Sequence, residues 1–307
     1  MLGAAPHRLL LGALALAAAL TACSRHVDEA PATGSAAAGP RVVSLTPSAT
    51  EIVAALGATE LLIAVDDYST YPPAVASLPK VGSFLAPNLE VIVRLRPTLV
   101  LADDIHAEAA AALADAGIAT LQQPVHGLAD VEDALTAIGA RLGRADAAAA
   151  RRQAMQAAID AARRRQPASR PRVVAIIDRE IGGLGGLVAA GTGSWLDTLL
   201  ALVGAENALA SAGVRYPKIS VEEILAAQPD VIVDASYAAD AAAPMGPWQG
   251  LAVPAVREGR VLVMKEPFVL APSPRLAEAL AVVGRVVDEP APSVEVDVDV
   301  DGHAHAH

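Results

Sequence analysis

Asn88-Leu89-Glu90-Val91-Ile92-Val93-Arg94-Leu95-Arg96-Pro97-Thr98-Leu99-Val100-Leu101 lies without a gap over Ser220-Val221-Glu222-Glu223-Ile224-Leu225-Ala226-Ala227-Gln228-Pro229-Asp230-Val231-Ile232-Val233. Each copy reads as a cap, an acidic first turn, an amphipathic helix, a proline that stops it, and an apolar strand. A weaker echo precedes each copy, where Leu56-Gly57-Ala58 and Val203-Gly204-Ala205 each end a helix at glycine. Such a pair predicts two versions of one α/β lobe. Working outward, Val- and Ile-rich runs recur at residues 41–45, 61–67, 98–104, 172–179, 230–236 and 260–265. Runs apolar on both faces suit parallel or mixed sheets covered by helices.

Between the third and fourth runs, residues 129–166 carry almost no strand character, and Ala145 to Gln166 reads as one long helix ended by Pro167 and Pro171. At 1.5 Å per residue a helix of about 21 residues is roughly 30 Å long, the width of a lobe. The expected fold is therefore α/β: two similar lobes, residues 41–143 and 169–288, joined by one long backbone helix at 144–168. The ligand cleft is expected between the lobes.

Outside this unit, Arg8 precedes an apolar run from Leu9 to Leu20, the layout of a secretory signal peptide over residues 1–22. The run is too short to span a bilayer. Leu20-Thr21-Ala22-Cys23 matches the lipobox cut by the bacterial lipoprotein peptidase, and Cys23 is the single cysteine of the 307-residue chain. The expectation is a lipid on Cys23, with a flexible tether over residues 23–40 that reaches roughly 20 Å as a random coil. Such a protein sits on the extracytoplasmic face as a membrane-anchored lipoprotein. At the other end, residues 289–307 form an acidic tail closing on His303, His305 and His307, a tract able to converge on a metal ion. The alternative is a solvated acidic tail. Removing the six carboxylates of residues 288–301 takes the formal charge from −11 to −5. An acidic remainder argues against nucleic acid as a partner.

Aromatic residues number eight, and most fall in loops beyond strand ends. Tyr68 and Tyr71 follow the second apolar run, Phe84 and Tyr216 precede the two repeat helices, and Phe268 follows the last run. Facing loops of two lobes supply a cleft, and aromatic walls suit a ligand with large apolar faces. Trp195, opening a helix after Gly191-Thr192-Gly193, is placed at the cleft mouth or in packing; Trp248 reads as structural. The glycines at 182, 183, 185 and 186 follow a strand in the wrong order for a dinucleotide loop and read as a tight turn. His106 and His126 sit near strand ends of the first lobe; a lone loop histidine is usually solvated, and no histidine of the second lobe converges on them. Nucleotide-binding, nucleophile-elbow and metalloprotease motifs are all missing, so catalysis is not expected.

The residues resemble the metal-chelate solute-binding proteins of ABC importers, the helical-backbone metal receptors. The likeness rests on Arg41-Val42-Val43-Ser44-Leu45-Thr46-Pro47-Ser48-Ala49-Thr50-Glu51, Tyr68-Ser69-Thr70-Tyr71-Pro72-Pro73 and Asn88-Leu89-Glu90. It continues in Val221-Glu222, Gly259-Arg260-Val261 and Pro274-Arg275, and covers nearly all of residues 41–288 in order. Within the family the pattern is most similar to cobalamin binders, so the resemblance implies a metal chelate as cargo, cobalamin or a related corrinoid, with haem or a ferric siderophore, carried by other members, as the alternative. The resemblance implies that Glu90 and Glu222, one per lobe, dock on arginines of the importer's permease subunits. An acidic residue in a first helical turn also complements the helix dipole, worth about 0.3–1 kcal/mol. By motif, Phe84 and Tyr216 stand where the cobalamin binders use larger indole rings, and Tyr68 and Phe268 match cleft aromatics. If the cargo is haem, Tyr68, Tyr71, Tyr216 and His106 are candidate axial ligands. A monomer is expected, and a scavenging surface lipoprotein that uses its His tail is the competing role.

Overall fold

The computed structural model describes residues 39–165 and 169–288. The expected leader, Cys23 with its expected lipid, most of the expected tether, and the tail with His303, His305 and His307 lie outside the described residues. Among the described residues no helix is long and apolar enough to cross a membrane.

The N-terminal lobe runs β1 (Val42–Ser44), α1 (Pro47–Ala55), β2 (Leu62–Val65), a short hairpin of β3 (Gly82–Ser83) and β4 (Ala86–Pro87), α2 (Leu89–Leu95), β5 (Leu99–Ala102), α3 (Ala107–Asp115), β6 (Thr120–Gln122) and α4 (Leu128–Arg141). Its parallel sheet has the order β2-β1-β5-β6. The backbone helix α5 (Ala145–Arg165) follows, then β7 (Arg172–Asp178), β8 (Val188–Ala189), α6 (Trp195–Leu202), β9 (Glu206–Asn207), α7 (Val221–Ala227), β10 (Val231–Asp234), α8 (Pro254–Arg257), β11 (Val261–Val263) and α9 (Leu276–Asp288). In this lobe β9, β7, β10 and β11 lie side by side in parallel, with β8 added antiparallel to β7. The order β9-β7-β10-β11 reproduces β2-β1-β5-β6, so the sequence repeat is a repeat of topology.

The two repeat helices match in detail. Asn88 caps α2 by accepting from the Val91 N–H at 3.1 Å, and Ser220 caps α7 in a reciprocal box with Glu223. Both then end on a left-handed residue that is not glycine, Arg96 at φ 48° and Gln228 at φ 44°, each followed by proline. Each turn accepts strain to send the chain directly into a central strand.

Helix α5 is more than a spacer. Ala148, Met155 and Ile159, spaced by seven and four residues, form one buried stripe. The stripe belongs to a single apolar core that also holds Ile52 and Ile138 of the N-terminal lobe and Leu199, Leu276 and Val283 of the C-terminal one. Helices α4, α6 and α9 pack directly on α5.

The glycine run lies in the β7–β8 connection, where the Glu180 N–H donates to the Gly185 carbonyl at 2.9 Å. Beside it Arg179 is buried against Asp234 at 2.8 Å and also donates to the carbonyls of Glu180, Gly183 and Ala238. The Trp248 indole N–H reaches the same carboxylate at 3.1 Å, which explains its structural role. Truncating one partner of a buried ion pair typically costs about 3–5 kcal/mol, because a charge is stranded. Arg179→Ala is therefore expected to lower unfolding free energy in urea by about that much. Arg179→Met with Asp234→Asn, which keeps an acceptor for Trp248, is expected to recover part of the loss.

Candidate functional site

In a parallel sheet with crossover helices, the loops leaving the C-terminal strand ends gather on one edge, where ligands bind. That edge carries the site. Loops after β1 and β2 from one lobe, and after β10 and β11 from the other, enclose a cavity of about 630 Å3. Its lining includes Pro47, Glu51, Tyr68 and Tyr71 on one side and Tyr237, Phe268, Leu270 and Pro272 on the other. The volume falls within the range of roughly 300–1,000 Å3 usual for small-molecule sites.

The Tyr68 loop is held from beneath. Asp66, buried at the end of β2, accepts from the Tyr68 N–H at 2.9 Å and from the Ser69 hydroxyl. Ser69 in turn meets the Thr50 hydroxyl of α1 at 2.8 Å, and Lys80 donates to the carbonyls of Asp66 and Ser69. Burial pushes the Asp66 carboxyl above its ordinary value, against the pull of those donors and of Lys80. The loop base is fixed while the Tyr68 ring remains 64% exposed; Tyr237, on the other lobe, is 91% exposed.

A polar wall joins the lobes beside the cavity. The Ser48 hydroxyl donates to the Pro272 carbonyl at 2.8 Å, and the Ser273 hydroxyl donates to Glu51. Arg275 stands 3.9 Å from the ring centres of both Tyr71 and Phe268, and its Nε donates to Glu278 at 3.1 Å. Burial pushes the Glu51 carboxyl up, opposed by the Ser273 hydrogen bond and by Arg275. A second cavity of about 270 Å3 lies beyond this wall, lined by Glu51, Tyr71, Arg275 and by Arg151 of α5.

Of the residues expected at the cleft, Tyr68, Tyr71 and Phe268 line the cavity and three do not. Trp195 is 1% exposed and sits in the shared core, its indole N–H donating to the Phe268 carbonyl at 3.2 Å. It supports a cleft residue from behind and does not stand at the mouth. Phe84 packs edge-on against His106 with ring centres 5.3 Å apart, and its carbonyl meets His106 Nε2 at 2.7 Å. His106 Nδ1 accepts from the Asp103 N–H, so both of its ring nitrogens are engaged within the protein. Tyr216 is half-exposed in the loop before α7, away from the cavity lining. Tyr237 was not anticipated, although it follows β10 much as Tyr68 follows β2.

Glu90 and Glu222 are both exposed in the first turns of α2 and α7. These helices run back against the parallel strands, so their N-termini lie on the same edge as the cavity loops. Glu90 pairs with Arg94 at 2.6 Å across an exposed helical turn, a contact of little net worth.

The periplasmic binding protein family profile matches residues 42–267. The chain is 26% identical over 247 residues to the vitamin B12-binding protein of Vibrio cholerae serotype O1, covering 79% of this chain and 87% of that protein. Among solved structures it is similar to the periplasmic haem-binding protein RhuT from Roseiflexus sp. RS-1 in apo form, with a TM-score of 0.68 and 28% identity, covering 81% of this chain and 100% of that one. It is also similar to the periplasmic vitamin B12 binding protein BtuF of Vibrio cholerae, with a TM-score of 0.67 and 27% identity, covering 81% and 96%.

The raised Glu51 value has a definite sign. The folded protein holds this proton to higher pH than the unfolded chain, so the stability it contributes is full below the ordinary glutamate range and is lost as pH rises through the folded value. Glu51→Gln mimics the protonated form. It is expected to melt above the parent at neutral pH, with the gap narrowing as pH falls through the raised folded value and closing below the ordinary glutamate value; a gap independent of pH contradicts this.

Proposed function

The chain belongs to the periplasmic binding protein family, and from that premise we propose that it is the capture component of an ABC importer whose cargo is a planar metal chelate, with haem as the first choice. The observation carrying this reading is the pair of exposed phenols, Tyr68 and Tyr237, one from each lobe, over a largely apolar cavity of about 630 Å3. A tyrosine oxygen is an established axial ligand of ferric haem. The apolar faces of the macrocycle suit walls built by Tyr71, Phe268, Leu270 and Pro272. His106 is spent on Phe84 and the Asp103 backbone, Tyr216 is off the cavity, and the Tyr71 ring is covered by Arg275, so the more exposed Tyr68 is assigned as the ligand from the N-terminal lobe with Tyr237 opposite. A corrinoid is the second reading, favoured by the 26% identity to a vitamin B12-binding protein. In this account Cys23 carries the lipid that keeps the protein at the extracytoplasmic face, and no bond is made or broken in the cargo.

Titration with hemin and, in parallel, cyanocobalamin discriminates the two readings. Saturable one-to-one binding of hemin is expected. Tyr68→Phe is expected to weaken it at least about tenfold, equivalent to ~1.4 kcal/mol, and to remove the phenolate-to-iron charge-transfer band. Preference for cyanocobalamin reverses the choice of cargo, and binding of neither chelate removes the proposal.

Delivery is assigned to Glu90 and Glu222, which the topological repeat sets in equivalent positions on the cavity edge. Glu90→Ala with Glu222→Ala is expected to abolish importer-dependent uptake in cells while cargo affinity of the purified protein stays unchanged. Loss of cargo affinity in that variant is inconsistent with a docking role.

A further inference from the structure

We propose that Asp103, Asp104 and His126 form a binding site for one divalent transition ion, best matched to Zn2+, on the rim of the N-terminal lobe. The consecutive Asp103 and Asp104 follow β5 and His126 follows β6, adjacent parallel strands that end at the same edge. One ligand atom from each falls within 4.8 Å of the others. His126 Nε2 is 3.1 Å from Asp104 Oδ1 and 3.5 Å from Asp103 Oδ1. Zn–N and Zn–O bonds of about 2.0–2.2 Å place neighbouring atoms of a tetrahedron about 3.3–3.5 Å apart, and both edges from His126 lie within a few tenths of an ångström of that spacing.

Two further features suit a cation. Asp103 is 4% exposed, yet among the described residues no lysine or arginine pairs with it or with Asp104; His126 is their ionisable partner. Two carboxylates with an imidazole leave a charge that a divalent ion neutralises. The Asp103 carboxylate is also held in advance, accepting from the backbone N–H groups of Asp104 at 2.8 Å and Val125 at 3.2 Å, and the backbone at His126 is fixed by its N–H donating to Asp130 at 2.9 Å. Outer contacts of this kind orient metal ligands. The imidazole favours zinc over calcium or magnesium, and with three protein ligands a fourth position is left to water.

None of the three residues lines the cavity between the lobes, so the site is independent of the cargo reading. An ion here fastens the loop after β5 to the loop after β6. Through the Asp103 N–H, His106 and the Phe84 carbonyl it also reaches the β3–β4 hairpin.

The test uses the full chain with His303, His305 and His307 replaced by alanine, so that the tail contributes nothing. Zn2+ is titrated calorimetrically, and Co2+ is used as a spectroscopic probe of tetrahedral geometry. One equivalent of Zn2+ with visible Co2+ d–d bands is expected. Asp104→Asn and His126→Gln, both at partly or largely exposed side chains, are each expected to weaken Zn2+ binding at least tenfold while far-ultraviolet circular dichroism and hemin titration stay as in the parent. No saturable Zn2+ binding in the tail-substituted chain, or binding that both variants leave intact, overturns the proposal.

Discussion

The buried stripe of α5 is the constraint on which the rest depends. Ala148, Met155 and Ile159 sit in one apolar core drawn from both lobes, and each fully buried side chain of the size of Met or Ile is worth about 1.5–3 kcal/mol. Lobes that share a core cannot swing freely as two bodies on a flexible linker. The cavity is therefore largely formed before a ligand arrives, and binding does not have to meet the entropic cost of ordering two independent domains. The arginines at the end of α5 and Asp146 at its start complement the helix dipole, while the neutral stripe does the joining.

Preformation extends to the loops. Asp66 and Asp234 are buried carboxylates at or just beyond strand ends, and each gathers donors from the loop that follows. Buried polar groups of this kind are tolerated when fully hydrogen-bonded, and they then fix local geometry. The result is a rigid base under exposed aromatic tips. Tyr68 follows Asp66 by two residues and Tyr237 follows Asp234 by three, so both phenols are presented from fastened loops while their rings stay open to a ligand.

The lobes, the repeat and the backbone helix were legible because the signals are local and strong. Central strands buried on both faces must be continuously apolar, and the Asn88 and Ser220 copies carry their caps and prolines in register. Thr120-Leu121-Gln122 carries no such signal, since an edge strand of three residues need not be apolar, and β8 and β9 are shorter still. Side-chain direction was less legible. Trp195 opens α6 and reads equally as cleft or core until α5 and α9 are packed around it. His126 reads as a lone loop histidine because its carboxylate partners lie on the neighbouring strand, and only the β5–β6 pairing brings them together.

The contacts between the lobes fall into two classes of very different strength. Near the cavity they are polar: one hydroxyl on a carbonyl, one on Glu51, and a cation between two rings. Net values of roughly 0.5–1.5 kcal/mol for a hydrogen bond and ~0.5–2 kcal/mol for a cation–π contact apply to these. Along α5 they are apolar and cumulative. A force applied at the exposed first turns of α2 and α7 therefore breaks the Glu51–Ser273 and Tyr71–Arg275–Phe268 contacts before it opens the shared core. The wall that yields first is also a wall of the cavity, since Glu51, Tyr71, Phe268 and Ser273 line it. Separation of the lobes by a small angle would thus open the cavity without unfolding either lobe, and the core along α5 would draw them back together once the force is removed.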